Sequence, residues 1–138
     1  MDGLNGKMFS PIFFFNEHVE VSRETFHSPY GHIAGDYVLQ SLSKLVLKNV
    51  RESDSFFRWG GEEFIIILPE TKLEKAKIVA EKIRGIIEDY NFKNGLKVMI
   101  SLGVGEYKSN ENIDHLIIRL DKAMLEAKSK GRNRIISA

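Results

Sequence analysis

Gly60 and Gly61 separate two short runs, residues 55–59 and 63–68, that are rich in aromatic and β-branched side chains. Such runs favour pleated, half-buried strands. A glycine pair between them reaches the positive φ angles of a tight hairpin turn without steric cost. A hairpin here excludes an all-helical fold and a purely parallel sheet.

The rest of the chain is read around that hairpin. Asp36 is placed to cap a helix running to about residue 50, with Val38, Leu42, Leu45 and Val46 on one face. Thr71 and Glu74 have capping-box spacing. They open a second helix with Leu73, Ala76, Ala80, Ile83, Ile87 and Tyr90 on one stripe. Leu96, Val98, Ile100, Leu102 and Val104 alternate strictly, the period of a half-buried strand. A last helix carries Ile113, Leu116, Leu120, Met124 and Ala127, with Gly131 at its C′ position and a closing strand in "RNRIISA". Upstream, "SPIFFFNEHVEV" reads as a strand and "SRETFHSP" as loop. These elements predict an α/β domain of the α+β sandwich kind, with a mixed, mostly antiparallel sheet flanked by helices.

The 138 residues suffice for one domain with its own core. Twenty basic and nineteen acidic side chains nearly cancel, and no polybasic block stands out. The charge balance therefore predicts no nucleic acid polymer and no membrane surface as partner, and any anion must be held by locally placed charges. The absence of cysteine excludes disulfides, thiolate nucleophiles and cysteine-ligated metals, and a cytoplasmic location is expected. No apolar run reaches the roughly 20 residues of a membrane span.

"RWGGEEFIIILPET" puts two carboxylates, Glu62 and Glu63, on the glycine turn. Mg²⁺ takes hard oxygen ligands, usually one or two carboxylates, and completes its shell with phosphates and water. Glycines beside it allow a triphosphate to approach the backbone. An acidic turn tip with no ligand is the plain alternative. A zinc site from His18, His27 and His32 fits no standard ligand spacing.

Several motifs together widen that context. "RWGGEEF" is followed by "SLGVG" (101–105) and "DKAMLEAKSKGRNRI" (121–135), and is preceded by "YGHIAGD" (30–36). In this order and spacing the sequence resembles the GGDEF family, the diguanylate cyclases, in its GGEEF variant. The resemblance covers residue 30 to about residue 136, with residues 1–29 a divergent N-terminal part of the same single domain. It implies a palm like that of nucleotidyl cyclases, working as a homodimer that condenses two GTP into cyclic di-GMP and two pyrophosphates with Mg²⁺ or Mn²⁺. By the same resemblance Glu62 and Glu63 are the metal-binding and catalytic carboxylates. Gly60, Gly61, His32, Asp36, Lys128 and Arg132 are substrate contacts, Asp36 reading guanine and the Lys128/Arg132 pair binding phosphate. The residues also have ordinary roles to weigh: N-capping for Asp36, a structural role for His32, and complementing a helix C-terminus for the basic pair. "RESD" (51–54) matches the family's inhibitory product site, giving Arg51 and Asp54 as cyclic di-GMP contacts, with Arg58 and Lys82 as secondary ones. An upstream sensory domain is a further implied partner.

The N-terminal part departs from the family. The expected metal-binding aspartate of the first strand is missing. Gapless counting from His32 puts Val19 at that position, Glu24 at a lysine and His27 at a guanine-binding asparagine, whereas sliding "IFFFN" onto the strand puts Asn16 at the aspartate. Valine cannot ligate, and asparagine offers a neutral oxygen. Metal binding is expected to be impaired unless Glu17 or Glu20 substitutes. Two other classes of function stand beside the cyclase: a non-catalytic receptor for cyclic di-GMP or GTP, and a structural dimerisation module.

Overall fold

The computed structural model describes residues 8–20, 31–60 and 63–138, the side chains of 13–20 and 31–34 excepted. The elements are β1 (Phe9–Glu20), α1 (Gly31–Lys48), β2 (Ser55–Gly60), β3 (Glu63–Pro69), α2 (Leu73–Asp89), β4 (Lys97–Val104), α3 (Ile113–Ser129) and β5 (Arg134–Ser137). A 3₁₀ turn, Lys93–Gly95, leads into β4, with Asn94 and Gly95 both at positive φ.

The strands form one sheet in the order β2-β3-β1-β4-β5. The apolar "PIFFF" run is accordingly the middle strand, antiparallel to both β3 and β4. β2 and β3 form the hairpin, also antiparallel. Among the described strands only β4 and β5 run parallel, and α3 supplies the crossover such a pair requires.

Alternation along β3 sorts the two faces. Phe64, Ile66 and Leu68 join the larger core with Val38, Leu42 and Val46 of α1 and Ala76, Ala80, Ile83 and Ile87 of α2. Ile65 and Ile67 point the other way, to Leu116, Leu120 and Met124 of α3. Two helices cover one face and α3 part of the other. Beside α3, among the described residues, an apolar groove of about 130 Å³ remains between Phe57, Trp59, Ile67, Ile113 and Ile117.

Covering on both sides explains a departure from the expected pattern of β4. Val98, Ile100 and Leu102 are buried as the alternation requires, but Ser101 and Gly103 are buried too. Gly103 is the seat of α3: a Cβ there would lie 2.4 Å from the Leu120 carbonyl oxygen and 2.9 Å from the Met124 amide nitrogen. The glycine of "SLGVG" is therefore a packing requirement.

Three expectations about helix ends are corrected. Asp36 is not an N-cap, because α1 already begins at Gly31 and Asp36 sits exposed in its second turn. Thr71 and Glu74 form no capping box. Lys72 is the N-cap of α2 without a side-chain bond. Glu106, from the loop after β4, accepts from the Leu73 amide instead, at 2.9 Å. The Thr71 hydroxyl donates to the Pro69 carbonyl at 2.9 Å, so a local turn consumes the group a capping box needs. Tyr90 leaves the apolar stripe of α2, being its exposed C-cap. α3 begins at an unanticipated cap, Asn112, whose side chain accepts from the His115 amide at 2.8 Å. No described helix is long and apolar enough to cross a membrane.

Candidate functional site

The hairpin delivers Glu63 to the α3 face. β2 and β3 pair from Ser55↔Ile67 to Arg58↔Phe64, then slip, so that Gly60 faces Glu63. The extra residue is Trp59 on β2, while β3 keeps its regular alternation from Glu63 onward. Gly61 and Glu62 lie outside the described residues. Glu63 shares the sheet face of Ile65 and Ile67, and it is half-buried.

Two residues of α3 act on Glu63. Burial pushes its carboxyl above the usual carboxylate range, and the nearby Asp121 charge pushes it further, while the Lys128 ammonium pulls it down. Asp121 and Lys128 are seven residues apart, two helical turns, so they flank the buried stripe of α3 on one side. Sequence reasoning missed Asp121; its spacing from Lys128 is the signal that could have found it.

α3 ends in a Schellman motif, as Gly131 suggested. The Gly131 amide donates to the Lys128 carbonyl at 3.3 Å and the Arg132 amide to the Ala127 carbonyl at 2.9 Å. Gly131 has φ 114°. Arg132 and Asn133 follow at φ 62° and 50°, a left-handed run that turns the chain straight into β5. Lys128 is thus on the last helical turn and Arg132, exposed, just beyond it.

β1 brings its middle to the start of β3 at the same hairpin. Phe15 pairs with Glu63 on one side and with Ser101 on the other. The register then slips between Phe15 and His18, leaving Asn16 and Glu17 as a bulge beside the hairpin. Val19 pairs with Val98 and Glu20 with Lys97, further along the strand. Of the two positions considered for the missing aspartate, Asn16 adjoins the residue opposite Glu63 and Val19 does not. Glu17 is the nearer of the two acidic candidates.

Asp36 and His32 are on the first two turns of α1. The side chain of His32 lies outside the described set, as do those of His18 and His27. The described residues contain no cluster of three or more histidine, aspartate or glutamate side chains that could hold a metal by themselves. Glu63 and Asp121, two carboxylates close enough to raise a proton affinity, fit the one-or-two-carboxylate demand of a hard dication.

Arg51 and Asp54 close into a compact turn at the other end of the β2–β3 pair, beside Ser55 and Pro69. Asp54 accepts from the Arg51 amide at 2.7 Å and from its guanidinium at 3.0 Å. The guanidinium also donates to the Pro69 carbonyl at 3.1 Å and to the Thr71 hydroxyl oxygen at 2.9 Å. The Asp54 side chain is only 3% exposed, whereas that of Arg51 is 59% exposed and presents a face to solvent. The pair borders a concavity of about 330 Å³ that Lys75 and Lys82 also line. Lys82 is therefore brought to Arg51, and Arg58, on β2, does not line that concavity.

A mostly antiparallel sheet with a glycine hairpin, a half-buried carboxylate at its mouth and a basic pair at the end of the facing helix defines a mixed α/β domain. Residues 24–134 match the model of the family described as diguanylate cyclase, GGDEF domain. Diguanylate cyclase DgcM of Escherichia coli K12 is 41% identical over 109 residues, 79% of this chain and 27% of that protein. The active GGEEF domain of a diguanylate cyclase from Vibrio cholerae superposes with a TM-score of 0.80 at 30% identity, over 95% of this chain and 83% of that one. The coiled coil and GGDEF domain of DgcB from Caulobacter crescentus, solved with c-di-GMP, shares the fold at a TM-score of 0.83 and 24% identity, over 96% and 71% of the two chains. The chain belongs to the GGDEF family of diguanylate cyclases. It spans about a quarter of the length of the Escherichia coli relative.

Proposed function

We propose that this domain condenses two GTP molecules into cyclic di-GMP, releasing two pyrophosphates, with two copies of the chain facing each other. The observation that carries this reading is Glu63: a half-buried carboxylate of raised proton affinity at a glycine hairpin, facing Asp121 and Lys128, in a member of this family.

The chemistry follows from those groups. The 3′-hydroxyl of one nucleotide attacks the α-phosphorus of the other, and the bond to the pyrophosphate oxygen breaks. Glu63 accepts the hydroxyl proton. Gly60 and Gly61 let the phosphates come close to the backbone. Lys128 and Arg132 hold the phosphates, the first as a point charge and the second as a fork. Asp36, exposed on α1, offers acceptors alone and so matches the N1–H and N2–H₂ edge of guanine, which adenine lacks; His32 lies one turn earlier. Mg²⁺ or Mn²⁺ would be held by Glu62 and Glu63 and would neutralise charge on the phosphates. With asparagine rather than aspartate beside the hairpin on β1, Glu17 of the bulge is the residue that restores a third negative charge.

The missing aspartate and the Arg51–Asp54 concavity favour one second reading, a catalytically impaired receptor for cyclic di-GMP. In that reading the solvent face of Arg51 stacks on guanine, and the buried Asp54 fixes the guanidinium that does so. Incubation with GTP and Mg²⁺ or Mn²⁺, followed by analysis for cyclic di-GMP, separates the two. Turnover that both Glu62→Gln and Glu63→Gln abolish is the expected result. Full activity in both variants overturns the site. No product at high protein concentration, together with cyclic di-GMP binding lost on Arg51→Ala, establishes the receptor.

A further inference from the structure

The connection from α3 to β5 is four residues long, and three of them, Gly131, Arg132 and Asn133, have positive φ. Glycine and asparagine visit that region readily, but arginine does so only when its surroundings fix it. The backbone before Arg132 is fixed by the Schellman bonds. The backbone after it enters the sheet at once, Arg134 pairing with Ser101.

The remaining constraint comes from α2. Arg84 donates from Nη1 to the Asn133 side-chain oxygen at 2.9 Å. The Asn133 amide nitrogen donates in turn to the Glu88 carboxylate. Arg84 is itself held by Glu81, through bonds of 2.9 and 3.0 Å from its Nε, and its side chain is only 17% exposed. Both ends of the asparagine amide are therefore used, and both partners stand one turn apart on one helix. Neither partner belongs to the Lys128/Arg132 pair or to the hairpin.

We propose that Arg84 and Glu88 are positioning residues: by clamping Asn133 they hold the left-handed turn that aims Arg132 at the phosphates of the nucleotide. This rests on the reading of Arg132 as a phosphate contact. It gives α2 a part in substrate binding although it offers no group to the substrate.

The test measures binding of a non-hydrolysable GTP analogue and of GMP to the full chain by titration calorimetry. The variants are Arg84→Ala, Asn133→Gly, Arg132→Ala and the Arg84→Ala/Arg132→Ala double, each checked by thermal unfolding. Asn133→Gly keeps the positive φ without strain, removes the clamp and changes no charge, so it remains informative if Arg84→Ala does not fold. Arg84→Ala, Asn133→Gly and Arg132→Ala are each expected to weaken the analogue about five- to tenfold and GMP less than about twofold. The double variant should bind no more weakly than Arg132→Ala, because both changes remove one interaction. Wild-type affinity in Arg84→Ala and Asn133→Gly, or losses that multiply in the double, overturns the positioning role while leaving Arg132 a phosphate contact. Unchanged analogue affinity in Arg132→Ala overturns the phosphate reading and this proposal with it.

Discussion

Glu63 shows at the residue scale how a site is set against stability. Its carboxyl is raised by burial first and by Asp121 second, with Lys128 opposing. A raised acid in the folded state binds a proton over a pH window in which the unfolded chain has already lost it. Stability therefore falls as pH rises from the ordinary carboxylate range through the raised value, and the penalty is complete above it. Glu63→Gln removes the charge without changing shape. Its melting temperature should match that of the wild type near about pH 4 and exceed it modestly at about pH 7, a gap that thermal scans across this range would read. Turnover should fall by about 10²- to 10⁴-fold in the same variant, the usual contribution of a positioned proton acceptor. A melting temperature lower than wild type at neutral pH would show that the ionised carboxylate stabilises the fold, against the direction argued here.

Among the elements, α3 carries two groups of the proposed site, Asp121 and Lys128, and rests on the tightest glycine contact among the described residues. Gly103 lies under its backbone, with Ala123 Cβ 3.0 Å from where a methyl would be placed, so neither partner is a flexible side-chain end. Gly103→Ala must lift the helix or bend β4, at a cost of about 1–3 kcal/mol or more. Since Asp121 and Lys128 ride on α3, nucleotide affinity should fall together with the denaturation midpoint, whereas Gly85→Ala, where a Cβ meets nothing, should leave both intact. Much of this was legible in the sequence. The β2–β3 hairpin, the apolar stripes of α2 and α3 and the Gly131 terminus follow from local periodicity and turn chemistry. The misread ends were decided by tertiary partners: Glu106 caps α2 from 33 residues away, and Arg51 engages the Thr71 hydroxyl that the capping box required. The Arg84–Asn133 bond escaped for the same reason, since it has no signature without the fold that joins α2 to the end of α3, whereas Asp121 is marked only by its two-turn spacing from Lys128.

For the whole molecule, one count governs the expected kinetics. The chain contains one glycine–glutamate hairpin and one Lys128/Arg132 pair, but the proposed product needs two identical nucleotides, each attacking the other. A two-fold arrangement of two copies supplies two sites in the required head-to-tail relation. Each half then holds one GTP, and neither half can complete the ring alone. In dilute solution the rate per protein should rise roughly linearly with protein concentration and level off once the dimer is saturated. Mixing an inactive Glu63→Gln chain with wild type sharpens the test, because mixed dimers retain only one competent carboxylate. If both attacks are required, excess variant should depress cyclic di-GMP formation by dilution of the wild-type pair. The linear intermediate, one phosphodiester bond formed and one triphosphate left, should then accumulate. A rate per protein that is flat from the most dilute measurable sample, together with no inhibition by excess variant, would mean that a single copy suffices. Since two attacking hydroxyls cannot share one Glu63 at once, that outcome would also require the carboxylate to act in two successive steps on one chain.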